Sequence, residues 1–207
     1  MQLRFETALS GEEYVRGQAW RTACLSHCPL HPQGGCAFAR HGTYGRVSPQ
    51  GTRIARWYCP REHCTFSLLP DFLASHLSGS LDDLEQAVIR IEQSDSLEAA
   101  ADALRTDDVA LPGAIRWARR RITLVHDALK SVIRTLPGRF AICQPSVTAF
   151  RCQLTDTHAL LRLREMIDIG LQTVPSPLGF ASRPLCDPKR RRFIQHGMGP
   201  DPPNHWQ

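Results

Sequence analysis

With 207 residues, 42% of them apolar, the chain has enough material for one domain or two small ones with a buried core, and wholesale disorder is excluded. No segment reaches the roughly 18–20 uninterrupted apolar residues of a membrane helix, and the start, MQLRFETALSGEEYVRG, lacks the apolar centre of a signal peptide. The expected location is therefore cytoplasmic and nucleoid-associated, with no membrane partner. Charge is segregated: Leu81 to Asp108 holds nine acidic side chains against Arg90 and Arg105, a balance of −7, so the rest of a chain of net charge +5 carries +12. A basic remainder of that size suits a polyanion, most simply nucleic acid.

Residues 1–22 form a weakly patterned N-terminal extension, in which Tyr14, Val15 and Trp20 are available to lean on the cysteine-rich segment. Between 23 and 72 fall five of the eight cysteines, Cys24, Cys28, Cys36, Cys59 and Cys64, together with His27, His31 and His63. In a reducing compartment such clusters bind metal more often than they form disulfides. Cys28-Pro-Leu-His31 has the two-residue spacing of a zinc knuckle, and the Gly34-Gly35 pair before Cys36 lets the chain turn tightly beneath an ion. On the far side Cys59 pairs with either His63 or Cys64. Between the clusters, GRVSPQGTRIARWYC reads as a β-hairpin with a Ser48-Pro49-Gln50-Gly51 turn and a strand carrying Thr52, Ile54, Trp57 and Tyr58. Two ligand-bearing ends joined by a hairpin predict a zinc ribbon. The candidate Zn²⁺ ligands are Cys28, His31, Cys36, Cys59, His63 and Cys64; the preferred four are Cys28, Cys36, Cys59 and His63, with His31 and Cys64 as substitutes and Cys24 and His27 last.

The stretches RHGTYGR, TRIARWYC and TFSLLPDFL resemble the zinc-ribbon segment of insertion-sequence transposases, and more closely a group of uncharacterised bacterial proteins, often associated with mobile elements, that join this ribbon to a helical DNA-binding region. His41, Gly42 and Tyr44 match the second element of that pattern, Arg56 to Cys59 the third, and Thr65 to Asp71 the last. At the metal ends the sequence departs: His31 and Glu62 stand where the pattern has cysteines, with His63 and Cys64 immediately after. The resemblance covers about a quarter of the chain and implies a retained metal.

After a connector ending in Ser-Gly-Ser at 78–80, Ser80-Leu-Asp-Asp83 reads as a helix cap, and Leu84, Val88 and Ile91 carry an apolar face to about Glu92. Asp95-Ser-Leu-Glu98 opens a second helix, Leu97–Leu104, whose Ala99, Ala100, Ala101 and Ala103 permit close contact. Pro112 begins a third and longest helix, with Ile115, Ala118, Ile122, Val125, Leu129, Val132 and Ile133 inward, ending by Pro137. A short alanine-rich helix followed by one opening with arginines and a tryptophan is the arrangement of a helix-turn-helix DNA reader, although the connection from Arg105 to Leu111 exceeds the usual turn. The predicted DNA-contacting residues are Arg116, Arg119, Arg120 and Arg121 on that helix, Arg46 and Arg53 of the ribbon, and the run Lys189-Arg190-Arg191-Arg192. The acidic first helices are expected to lie at the back, away from phosphate.

Residues 137–182 read as a C-terminal helical and strap region: short broken pieces, a helix capped by Asp156 and running to about Leu171, then a proline-rich strap bringing in Leu178 and Phe180. Residues 183–207 read as a basic, partly disordered tail. The isolated Cys143, Cys152 and Cys186 read as small buried hydrophobes. The predicted class is α+β, a small N-terminal β zinc ribbon followed by an all-α region at 78–136. There is no P-loop, no G-x-S-x-G elbow and no dinucleotide fingerprint, and the strands of a transposase catalytic domain are missing from the pattern, so no enzyme is expected. Two classes remain: a DNA-binding accessory or regulatory protein of a mobile element, acting on double-stranded DNA, and an adaptor that tethers a transposase or recombinase.

Overall fold

The architecture is described from a computed structural model, which covers residues 1–107 and 109–181. Four strands, β1 (Gln2–Phe5), β2 (Ala39–Gly45), β3 (Arg53–Cys59) and β4 (Cys64–Pro70), form a sheet of order β1-β4-β3-β2. Strands β2, β3 and β4 are antiparallel neighbours, whereas β1 runs parallel to β4, with Gln2 opposite Ser67 and Phe5 opposite Pro70. The hairpin predicted from the sequence is present. Its turn closes from the Pro49 carbonyl to the Thr52 amide, one residue later than the Ser48–Gly51 reading, because Gly51 at φ +77° fills the left-handed third position. Strand β1 has no counterpart in the sequence reading: four residues are too few to show alternation, and what holds them is pairing with β4.

Seven helices accompany the sheet among the described residues: α1 (Gly11–Arg16), α2 (Leu81–Glu92), α3 (Leu97–Leu104), α4 (Leu111–Thr135), α5 (Pro137–Phe140), α6 (Val147–Leu154) and α7 (Ala159–Ile167). None is long and apolar enough to cross a membrane. Ser80 caps α2 as read from the sequence, the Asp95–Glu98 cap signal opens α3 at Leu97 with Ser96 as the capping residue, and Pro112 lies in the first turn of α4. Helix α6 replaces part of the stretch read as broken pieces; its cap is Ser146, whose hydroxyl accepts the Ala149 amide. Helix α7 begins later than expected, and Asp156 accepts the His158 amide just ahead of it rather than capping the helix itself.

The main core runs without interruption from Ile54 and Leu69 of the sheet through Leu73 and Leu77 of the connector, α2, the second half of α4, α6, α7 and the strap residues Leu178 and Phe180. The sheet and the helices therefore share one interior. Two buried ion-bearing groups tie them together. The carboxylate of Asp71, at the exit of β4, accepts from Arg4 Nε at 2.7 Å and from the Thr7 amide at 3.2 Å, and the same Arg4 guanidinium donates to Asp168 at the end of α7. Arg164 of α7 is fully buried and donates to the carbonyls of Asp71, Leu73, Pro177 and Leu178 at 2.6–2.8 Å. Burial pushes the Arg164 guanidinium down to about 9. The SLLPD exit is thus the seam at which strand, helix and strap meet.

The first half of α4 leaves this core. It packs through Ala114 and Ala118 against Ile91 of α2 and Ala100 and Ala101 of α3, where methyl side chains let the backbones approach closely. Ala99 and Ala103, also expected to serve this contact, are exposed. On α2, Glu85 and Glu92 stand two turns apart and serve later helices. Glu85 accepts from the Ala159 and Leu160 amides that open α7, and Glu92 from the Val147 and Thr148 amides that open α6. Each carboxylate fills the role of an N-cap from a different helix. Part of the acidic cluster seen in the sequence is accordingly interior scaffolding and not a solvated face.

Candidate metal centre and cationic helix

The segment before β2 turns back on itself through Gly34 and Gly35, both at positive φ (+85° and +80°), a conformation that glycine adopts without strain. The reversal brings Cys36 beside Cys28 and His31, which are themselves joined by a turn in which the His31 amide donates to the Cys28 carbonyl. Cys59, the last residue of β3, points from the sheet toward the same place. One donor atom from each of Cys28, His31, Cys36 and Cys59 lies within 4.8 Å of every other, and the three thiols are buried.

The donor spacing can be compared with what an ion demands. Tetrahedral zinc, with bonds of about 2.3 Å to sulfur and about 2.1 Å to nitrogen, holds its sulfur and nitrogen donors about 3.6 Å apart. His31 Nδ1 is 3.7 Å from the Cys28 sulfur and 3.5 Å from the Cys59 sulfur. The other ring nitrogen of His31, Nε2, faces a Glu62 carboxylate oxygen at 3.5 Å. A carboxylate on the far nitrogen is the usual outer support of a metal-bound imidazole, because it fixes the tautomer and the ring plane. The thiols also sense one another. Burial opposes ionisation of Cys28, but hydrogen bonding with His31, the main chain and Cys36 outweighs it and brings the thiol down to about 7. Burial and the neighbouring Cys28 and Cys59 push Cys36 up. Three soft donors that cannot all carry charge without a cation, plus one imidazole, form a set suited to a divalent ion and leave no open coordination position.

Of the six candidate ligands, the structure brings four together and leaves two apart. His31, not the preferred His63, completes the set. His63 occupies a left-handed position in the β3–β4 connection (φ +48°), and its Nδ1 is 3.0 Å from the Tyr58 hydroxyl. Tyr58 precedes Cys59, so its side chain leaves the opposite face of the strand, and His63 follows it there. Cys64 pairs in register with Cys59 and packs beside the buried thiols without joining them. Cys24 is exposed. The supporting carboxylate, Glu62, was visible in the sequence only as a departure from the family pattern, since nothing local says which histidine it faces.

The predicted DNA-contacting arginines are placed unequally. Arg116, Arg119 and Arg120 are exposed on α4 and line a shallow groove with Thr123 and Leu124. Arg121, on the flank, is half-buried with its guanidinium carbon 3.9 Å from the Trp117 ring centre, and burial together with Arg120 pushes it down to about 10. Arg53 is exposed, donating to the Thr43 hydroxyl at 2.9 Å. Arg46 is engaged elsewhere: its guanidinium donates to the carbonyls of Ala74 and Leu77, clamping the hairpin to the connector. Lys189, Arg190, Arg191, Arg192 and Cys186 lie outside the described residues. Of the remaining cysteines read as buried, Cys143 is half-buried against the core, whereas Cys152 on α6 is exposed because that helix turns Val147 and Phe150 inward.

No family model, curated protein or solved structure matches this chain.

Proposed function

We propose that this chain is a zinc-binding, DNA-binding accessory or regulatory protein of a bacterial mobile element, without a catalytic domain of its own. In this reading Cys28, His31, Cys36 and Cys59 hold one structural Zn²⁺, and the sheet they anchor is a zinc ribbon. Helices α3 and α4 act as a helix-turn-helix-like unit on double-stranded DNA. The observation that carries it is the outer side of α4, where Arg116, Arg119 and Arg120 stand open to solvent within one helical turn, on a segment that projects from the main core. Three guanidinium groups so spaced match phosphates and guanine edges. The acids that would oppose this are partly withdrawn, since Glu85 and Glu92 are bound to helix amides. A four-ligand closed site supports a structural ion and not a catalytic one. The mobile-element context rests on the likeness of His41–Tyr44, Arg56–Cys59 and Thr65–Asp71 to the transposon-associated ribbon.

Selection of bound duplexes from a random pool tests the reading without presupposing the site. The expected result is a preferred sequence bound with strong salt dependence, and a salt slope reduced by about 1 for each phosphate contact removed in Arg116→Ala/Arg120→Ala. Zinc-loaded protein that shows no duplex affinity at low salt, and that co-purifies with a recombinase, would replace this reading with the adaptor.

A further inference from the structure

The sheet reaches further than the helices that cover it. Along β3 the side chains of Ile54, Arg56 and Tyr58 share one face by strand alternation. Ile54 is fully buried in the main core, whereas Arg56 and Tyr58, one and two rungs on, are only half-buried. At those same rungs the opposite face is closed by the thiol cluster, Trp57 and Phe66. The uncovered end is therefore a supported platform with one open side.

What lines that side is unusual for a surface left to solvent. The His41 and Tyr58 rings lie with centroids 5.3 Å apart at 36°, and the Tyr58 hydroxyl is fixed by His63 at 3.0 Å. Arg56 sits with its guanidinium carbon 5.9 Å from the centre of the Tyr44 ring. These side chains carry ring faces, hydroxyls and positive charge. None of them is aliphatic, and of their paired neighbours on this face Ala39 adds only an exposed methyl while Thr65 and Ser67 add hydroxyls, so an apolar protein partner would gain little there. None is a carboxylate, and the nearest acid in sequence, Glu62, is turned to His31 on the metal side.

We propose that this open end of the sheet binds single-stranded nucleic acid, with unpaired bases stacking on Tyr58 and His41 and the strand's phosphates meeting Arg56. Flat aromatic faces beside a cation on a rigid sheet stack any base and follow a single backbone, whereas a duplex keeps its base faces inside. The surface lies on the sheet and is independent of the duplex-binding reading of α4.

The test is fluorescence anisotropy of the zinc-loaded full chain with labelled oligo(dT) and oligo(rU) of about a dozen nucleotides, and with an abasic strand of equal length. Oligo(dT) is expected to bind more tightly than the abasic strand, and Tyr58→Ala to weaken it by about fivefold or more, the lower end of what losing one stacking partner costs. Tyr58→Phe, which keeps the ring and loses the His63 contact, is expected to stay close to wild type, and Arg56→Gln to weaken binding and lower its salt dependence. Arg116→Ala/Arg120→Ala is expected to retain oligo(dT) binding, which separates this site from α4. Comparing oligo(dT) with oligo(rU) tells which backbone is preferred. Equal affinity for the abasic strand, no binding of either oligomer at low salt, or full affinity in both Tyr58→Phe and a folded, zinc-containing Tyr58→Ala would overturn the proposal.

Discussion

Gly179 occupies a point where no side chain fits. A Cβ placed there would lie 2.1 Å from the Val174 carbonyl oxygen of the strap and 2.6 Å from that of Leu171 in the turn before it, both backbone atoms. Gly179→Ala must open the strap that Arg164 and Ser75 hold, and it is expected to lower stability by about 3 kcal/mol or more, read as a lower denaturant midpoint. The candidate metal ligands separate just as sharply at this scale. His31→Ala should abolish stoichiometric zinc, whereas His63→Ala, which loses only the contact to Tyr58, should keep one ion per chain by metal analysis. Retention of zinc in His31→Ala with loss in His63→Ala would restore the four-residue set preferred from spacing alone. Spacing is equally tolerant of both histidines. The choice is made by the alternation of β3, which sends Cys59 and Tyr58 to opposite faces.

Helix α2 illustrates how an element acquires a role that its own sequence does not announce. Its apolar face and Ser80 cap are local and were readable, but Glu85 and Glu92 look like ordinary members of an acidic run. Only packing shows them to be the caps of α7 and α6. The two respond oppositely to protons. Burial raises Glu85 above its ordinary value, with the Leu160 and Ala159 amides and Arg151 only partly offsetting it. For Glu92, burial is outweighed by His126 and by the amides of Thr148 and Val147 and the Thr148 hydroxyl, so its pKa is lowered from 4.5. A carboxyl group depressed in the folded state contributes stability above its unfolded pKa and loses it as pH falls through the folded one. Urea unfolding as a function of pH is thus expected to show a decline below about pH 4.5. In Glu92→Gln that decline should flatten, with about 2 kcal/mol lost at neutral pH from weakened charge-assisted hydrogen bonds. An unchanged acid limb in Glu92→Gln would remove Glu92 from this role.

Across the whole molecule, the metal centre and the helical core are distinct sources of order. Three of the four donors come from the loop before β2, and only Cys59 belongs to a strand, so an ion bound there would fasten a segment that has few buried apolar groups of its own. Chelation is therefore expected to open residues 24–38 to protease while most of the helical circular dichroism persists, since Ile54 and Leu69 still join the sheet to the helices. Complete unfolding on chelation would mean that the ion, and not the shared core, organises the fold. By itself the sequence determined the hairpin, the capped helices α2 and α3, the long α4 and the grouping of cysteines, because caps, turns and periodicity act within a few residues of chain. It placed four of the donor residues among six and the exposed arginines among ten. Only tertiary structure decided that β1 joins β4, that His31 meets the three thiols, that Arg46 and Arg164 spend their charge on carbonyls, and that one end of the sheet stays uncovered. Each of those depends on segments far apart in the chain meeting, and a contact of that kind leaves no periodic trace in either partner's sequence.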